Sequence, residues 1–93
     1  MEGRRGARVA TTFRVAIVGL ETTPLPRQGD ISATGVYFET DSDVGSAGTI
    51  HWLHLVSVDG ARDLRVMAYV VRTAVMANVE GQRISGAAFE FMP

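Results

Sequence analysis

Arg4 and Arg8, two arginines four positions apart, have the type and spacing to bind an anionic ligand. In a helical turn their side chains would share one face, roughly 6 Å apart. In an extended chain they would again point the same way, about 13 Å apart. Either geometry presents two planar guanidinium forks, which suit phosphate oxygens or the paired acceptors of a guanine edge. The spacing carries this prediction, because the chain has nine basic residues and all are arginine.

A second polar group, Asp30-Ile31-Ser32-Ala33-Thr34-Gly35, lies between two runs that predict strands. Asp followed two residues later by Ser can hydrogen-bond its own backbone and hold a turn. Gly35 allows a non-standard backbone angle at no steric cost. On its own this pattern predicts a plain hairpin connection. Together with the upstream arginine pair it also indicates a ligand site.

The two motifs, Arg-x-x-x-Arg over residues 4–8 and Asp-x-Ser-x-x-Gly over residues 30–35, resemble those of the PilZ domain family in order and spacing. The likeness extends over nearly the whole chain, since Val70-Val71-Arg72 and Gly86-Ala87-Ala88-Phe89 are similar to the last two strands of that family. The resemblance implies a small β-barrel that binds the bacterial second messenger cyclic di-GMP.

The resemblance also implies a role for each motif residue. The arginines would contact phosphate oxygens and guanine edges, Asp30 would accept from the donor edge of a guanine, and Ser32 would reach a phosphate or hold the turn. Arg5 would help at the ligand or face solvent. The predicted ligand-binding residues are Arg4, Arg5, Arg8, Asp30, Ser32 and Gly35.

Length and composition predict one globular domain over residues 1–93. The hydrophobic fraction of 46% is ordinary for a folded protein, and cysteine is absent, which excludes disulfides and thiolate-ligated metals. No apolar run approaches the roughly 18 residues of a membrane span, and no signal peptide is evident, so we expect a cytoplasmic protein. A net charge of −1 disfavours a nucleic-acid polymer as the partner.

Short strand patterns separated by turn residues predict an all-β fold, an antiparallel barrel of about six strands. We expect a flexible arm over residues 1–11 and the barrel over 12–92. Within the barrel, residues 22–29 are predicted to be a loop because Pro24 and Pro26 interrupt a ladder. A short strand is predicted at about 28–32, and a solvated polar turn over 41–47. The last strands are expected at about 64–73 and 83–92, joined by a widened hairpin over 74–81.

The run from Thr49 to Ser57 is apolar on both faces and predicts a well-buried strand, with Trp52 in the core. Tyr69 is likewise expected in the core. His51 and His54 would point to opposite faces of this strand, so they could not share a metal ion. No Gly-x-Ser-x-Gly sequence frames a nucleophile, so we expect neither a metal site nor an enzyme.

The sequence therefore predicts a cyclic di-GMP receptor, without a further cofactor, that passes its signal to a protein partner by ordering the arm. One alternative is a PilZ-like interaction module that binds no nucleotide, because a fold can be kept while its ligand is lost. Another is a small barrel that binds single-stranded nucleic acid, which surface aromatic residues would favour.

Overall fold

Six β-strands make up the structure, a computed structural model that describes residues 9–77 and 79–93. The strands are β1 (Val9–Ile17), β2 (Leu25–Ile31), β3 (Gly35–Glu39), β4 (Ile50–Val56), β5 (Asp63–Ala77) and β6 (Arg83–Phe91). The part of the chain that the structure describes contains no helix that could cross a membrane.

The strands close into a barrel in the order β1-β2-β3-β6-β5-β4, and every pairing is antiparallel. Because the circuit is closed, each strand pairs with a neighbour on both sides over at least part of its length. The predicted all-β barrel of about six antiparallel strands is therefore confirmed.

Alternating side chains from the strands fill the barrel interior. On β3, Val36 and Phe38 point inward while Tyr37 between them points outward, as the two-residue period of a strand requires. Phe38 stacks on Phe89 of β6, with ring centroids 5.4 Å apart and planes inclined by 7°. The other buried hydrophobic residues of the core are Phe13, Val15, Ile17, Val44, Leu53, Leu55, Ala68, Val70 and Ala87.

Strand β1 begins three residues before the predicted start of the barrel. Val9 lies opposite Ile31 of β2, and Ala10 lies opposite Asp30. Backbone pairing with β2 thus makes residues 9–11 part of the sheet rather than of an arm. The rest of the predicted arm lies outside the described residues.

The strand predicted at about 28–32 is confirmed as the end of β2, but the loop predicted before it is wrong from Leu25 onward, because β2 starts there and includes Pro26 opposite Arg14. At this end β2 pairs only with β1, since its pairing with β3 is confined to residues 29–31. A strand with a free side tolerates a residue that has no backbone N–H.

Strand β4 is buried on one face only, which corrects two predictions. Leu53 and Leu55 lie in the core, whereas Trp52 is 50% exposed on the outer face.

The core gains Val44, 2% exposed, from the segment that was predicted to be a solvated turn. Tyr69 is also not in the core, since it lies half-buried on the outer face of β5 and its hydroxyl donates to Glu90.

Strand β5 continues to Ala77, four residues beyond its predicted end, and pairs there with Arg83 of β6. Residues 74–77 of the widened hairpin predicted over 74–81 are therefore strand, and Gly81, with φ of +80°, lies in the turn. A β-bulge interrupts the ladder, since Val70 lies opposite Phe89 but Arg72 lies opposite Ala88. Val71 is the extra residue of this bulge.

A polar cluster ties the β1–β2 connection to the segment after β3. The Glu21 carboxylate accepts hydrogen bonds from the Thr40 and Ser42 hydroxyls, both at 2.8 Å, and pairs with Arg27 at 3.1 Å. Its other oxygen accepts from the Ile17 N–H at 3.0 Å. With 11% and 14% of their side chains exposed, Glu21 and Arg27 form a largely buried ion pair whose lone pairs are well satisfied.

Candidate functional site

The Asp-x-Ser-x-x-Gly segment forms the turn between β2 and β3, as predicted. The Ser32 N–H donates to the Gly35 carbonyl at 2.9 Å, and the Thr34 N–H donates to the Ser32 hydroxyl oxygen at 3.3 Å. A serine hydroxyl that accepts from the residue two positions ahead is a typical turn contact. Ser32 therefore holds the turn, which was one of the two roles predicted for it.

Gly35 is required for a reason other than the predicted backbone angle. Its φ is not in the left-handed region, where Gly19, Gly45, Gly48, Gly60 and Gly81 lie. Instead, a Cβ atom at Gly35 would lie 2.4 Å from the Phe89 carbonyl oxygen of β6. The glycine lets β3 approach β6 closely at the point where the turn joins the barrel wall.

Asp30 is the second-last residue of β2, next to the turn, and its side chain lies on the outer wall of the barrel. Asp30 pairs with Tyr37 of β3. Tyr37 lies opposite Ala88 of β6, and Ala88 lies opposite Arg72 of β5. These four residues form one row across four adjacent strands. We call Asp30, Tyr37, Ala88 and Arg72 the outer row.

Tyr37 is the aromatic residue of the outer row, and its ring lies over Gly86. A Cβ at Gly86 would fall 2.6 Å from the ring carbon that carries the hydroxyl, so only glycine leaves this space. The hydroxyl is buried without a hydrogen-bond partner among the described residues. Burial raises the pKa of Tyr37, as do the carboxylates of Glu39 and Asp30, while Arg72 lowers it.

A small cavity of about 170 Å³ connects the motif turn to the outer row. It is lined by Thr34, Gly35, Val36, Tyr37, Val71, Arg72, Ala88, Phe89 and Glu90. A larger cavity of about 680 Å³ includes Ile31 of the motif together with Phe13 and Leu55. The motif therefore borders two cavities, and the smaller one is shared with the outer row.

The structure thus brings three of the six predicted site residues, Asp30, Ser32 and Gly35, into one hairpin. The other three, Arg4, Arg5 and Arg8, lie outside the described residues. The register of β1 nevertheless fixes where their segment joins the barrel. Val9, which follows Arg8 in the chain, lies opposite Ile31 and hence beside Asp30 and Ser32.

The two histidines of β4 point to opposite faces, as predicted. The His51 ring contacts the inner Phe89 edge-on, and its Nε2 lies 2.8 Å from the Val44 carbonyl oxygen. His54 Nε2 lies 2.7 Å from an Asp63 carboxylate oxygen. In residues 9–77 and 79–93 there is no group of three side chains able to hold a metal ion.

Two residues of the outer row, Tyr37 and Arg72, were not predicted as site residues. Tyr37 had a signal in the sequence, because alternation with the inward Val36 and Phe38 places it outside, directly after the motif. Arg72 had none, since its orientation depends on the bulge at Val71.

Comparisons with known proteins bear on the fold. No family model matches the chain, and no curated protein matches it. Among solved structures the chain is similar to the Bacillus subtilis inhibitor of motility MotI/DgrA, with a TM-score of 0.70 and 16% sequence identity. The match covers 100% of this chain and 44% of that one, so the chain spans less than half the length of this neighbour. The likeness supports a PilZ-like fold for the chain.

Proposed function

We propose that this domain is a receptor for cyclic di-GMP and not an enzyme. The observation that carries the proposal is the register of β1 against β2, in which Val9 lies opposite Ile31. Val9, the residue that follows Arg8 in the chain, therefore lies beside Asp30 and Ser32 of the second motif. In the proposed site the two motifs bind one ligand from either side of this point.

In the proposed complex the ligand lies on the outer wall beside the β2–β3 turn. Arg4 and Arg8 bind its phosphate oxygens and guanine edges through bidentate contacts, and Arg5 lies next to them. Asp30 accepts from the N–H donors of one guanine. The Ser32 hydroxyl donates to a phosphate oxygen, for which it gives up its weak 3.5 Å contact with the Gly35 carbonyl.

The expected affinity follows from the number of charged contacts. A hydrogen bond to a charged group contributes about 1.5–3 kcal/mol. Three or four such bonds, reduced by the entropy lost when the arginine segment is fixed, give about −8 kcal/mol, which corresponds to micromolar binding. Because so few contacts supply the energy, loss of one motif arginine should remove most of it.

Binding would convert the segment that carries Arg4 and Arg8 into a fixed surface against the barrel. A protein partner can distinguish this fixed surface from the surface of the unliganded domain. Ligand binding would thus act as a switch between two states of the domain. Since the ligand occurs inside bacterial cells, the proposal places the domain in the cytoplasm. The fold is similar to that of MotI/DgrA, which is an inhibitor of motility by its name, and this likeness supports a regulatory role in the proposal.

The second candidate function, a PilZ-like interaction module that binds no nucleotide, is favoured by one specific observation. Val18, Ile50 and Trp52 are each about half exposed, at 50%, 52% and 50%, and they lie directly after β1 and on β4. The Val18 N–H donates to the Trp52 carbonyl, so these residues are adjacent. Exposed apolar side chains that cluster in this way are typical of protein-binding surfaces.

Isothermal titration calorimetry of the purified protein with cyclic di-GMP tests the proposal. We expect micromolar or tighter binding to the wild type and no measurable heat for Arg8→Ala. Arg65→Ala serves as the matched control, because Arg65 is an exposed arginine on β5 next to His54, away from the motif turn. A folded wild type that gives no heat would refute the receptor function and favour the interaction module.

A further inference from the structure

The bulge in β5 determines the direction of Arg72. Val70 is 1% exposed and points into the core, and in a regular strand the side chain two residues later would point the same way. The extra residue Val71 reverses this alternation, so Arg72 pairs with Ala88 on the outer wall and is exposed. Bulges that redirect one side chain are frequent beside functional sites.

The redirected Arg72 completes the outer row at the end opposite Asp30. Neighbouring strands are about 4.8 Å apart, so the three steps from β2 through β3 and β6 to β5 separate the two backbones by roughly 14 Å. Ala88 is the small residue between Tyr37 and Arg72, so only a methyl group separates these two side chains along the row. Arg72 and the turn residues Thr34 and Gly35 line the same cavity.

The charges around this cavity leave Arg72 available to an anion. Within the described part of the chain, no carboxylate lies within ion-pair distance of its guanidinium. Glu90, the acid that lines the same cavity, accepts a hydrogen bond from the Tyr69 hydroxyl. Tyr37 lies between the carboxylate of Asp30 and the guanidinium of Arg72, and both affect the pKa of its hydroxyl.

We propose that Arg72 is a further ligand-binding residue, which contacts a phosphate group of the nucleotide at the end of the outer row away from Asp30. Tyr37 positions the nucleotide, because its ring packs closely on Gly86 and lies between the two charged residues of the row. This inference rests on the proposed receptor function and adds to it a contact outside both sequence motifs. It assigns the ligand a direction, from the β2–β3 turn across β6 toward β5.

Calorimetric titration with cyclic di-GMP of four proteins tests this inference: the wild type, Arg72→Gln, Arg72→Lys and the matched control Arg65→Gln. Both arginines are exposed on β5, so each glutamine variant removes one charge from the same strand. We expect Arg72→Gln to weaken binding at least tenfold and Arg65→Gln to change it less than twofold. Arg72→Lys should retain part of the affinity, because an ammonium still binds phosphate as a point charge.

The dependence of affinity on salt gives a readout that a merely structural role would not change. If Arg72 contacts a phosphate, the affinity of Arg72→Gln should fall less steeply with added salt than that of the wild type. Wild-type affinity and salt dependence in Arg72→Gln would overturn the inference while leaving the receptor function intact. An equal loss in Arg65→Gln would also overturn it, since the effect would then reflect overall charge. Absence of binding to the wild type would refute the receptor function itself.

Discussion

Asp30 is the side chain that would select the base in the proposed complex. A carboxylate only accepts hydrogen bonds, and guanine offers adjacent N–H donors where adenine offers an acceptor. The position of Asp30 on the outer wall, opposite Tyr37, makes it accessible to a base lying beside the turn. The sequence motif indicated this residue, and the structure adds the face of the barrel on which it lies.

The first prediction concerns this choice of base. Asp30→Asn should weaken cyclic di-GMP binding about tenfold or more, because a charged acceptor contributes about 1.5–3 kcal/mol. It should also narrow the preference for cyclic di-GMP over cyclic di-AMP, and competition binding with the two nucleotides measures both effects. Asp41→Asn is the control, since Asp41 is exposed beyond the end of β3. Unchanged discrimination in Asp30→Asn would remove Asp30 from the site.

Gly35 supports a second prediction at the same scale. Gly35→Ala places a methyl group against the Phe89 carbonyl oxygen, where the available distance is 2.4 Å. The strands must separate to accept it, so the free energy of unfolding should fall by about 1–3 kcal/mol. Urea denaturation checks this, with Ala33→Ser at the neighbouring exposed position as a control. Equal stability of the two variants would contradict the close β3–β6 approach.

At the scale of elements, the polar cluster around Glu21 holds two connections against the barrel end. Burial acts to raise the pKa of Glu21, but hydrogen bonds from Ile17, Thr40 and Ser42 and the charge of Arg27 outweigh it, so the pKa lies below its ordinary value of 4.5. A lowered pKa in the folded state stabilises the protein above the unfolded pKa. This contribution is lost as the pH falls below about 4.5 through the folded pKa.

The third prediction follows from this linkage. Glu21→Gln should lower the free energy of unfolding by about 1–3 kcal/mol at pH 7, because Arg27 loses its counter-charge. The difference between wild type and variant should shrink as the pH falls below about 4.5, since unfolded Glu21 then binds a proton that the folded protein takes up only at a lower pH. Urea denaturation across the acid range measures both effects, with Asp41→Asn as the exposed control. A difference that stayed constant with pH would contradict the assigned role of the charge.

The elements also show where sequence reasoning succeeds and fails. The apolar run directly after the Asp-x-Ser-x-x-Gly motif predicted a strand, and β3 lies there. Pro26 suggested a loop, but a strand paired on one side tolerates proline. The bulge at Val71 leaves no signal, since it depends on how β5 fits β6 across the closed barrel.

At the scale of the whole molecule, the barrel and its turn were predictable because short strands and turn residues follow each other along the chain. The exposure of Trp52 was not predictable, because an apolar run does not indicate which of its two faces the rest of the protein covers. Nor could the outer row be predicted, because it combines residues of four strands that meet only when the barrel closes.

A fourth prediction treats the domain as one cooperative unit. A ligand present at one hundred times its dissociation constant stabilises the folded state by about 2.7 kcal/mol. For a domain of this size each kcal/mol corresponds to roughly 4–8 °C, so cyclic di-GMP should raise the melting temperature by roughly 10–20 °C. Differential scanning fluorimetry measures the shift, and Arg8→Ala should show none at the same ligand concentration. Equal shifts in both proteins would place the ligand away from the arginine motif.

A nuclear magnetic resonance titration tests most directly whether cyclic di-GMP binds where the start of β1 meets the β2–β3 turn. Amide resonances of the isotope-labelled protein are followed as ligand is added. We expect the largest shifts at residues 30–35 and at the start of β1, with smaller ones along the outer row. Shifts centred on residues 57–64 of the large cavity with none at residues 30–35, or no shifts at all, would contradict this site.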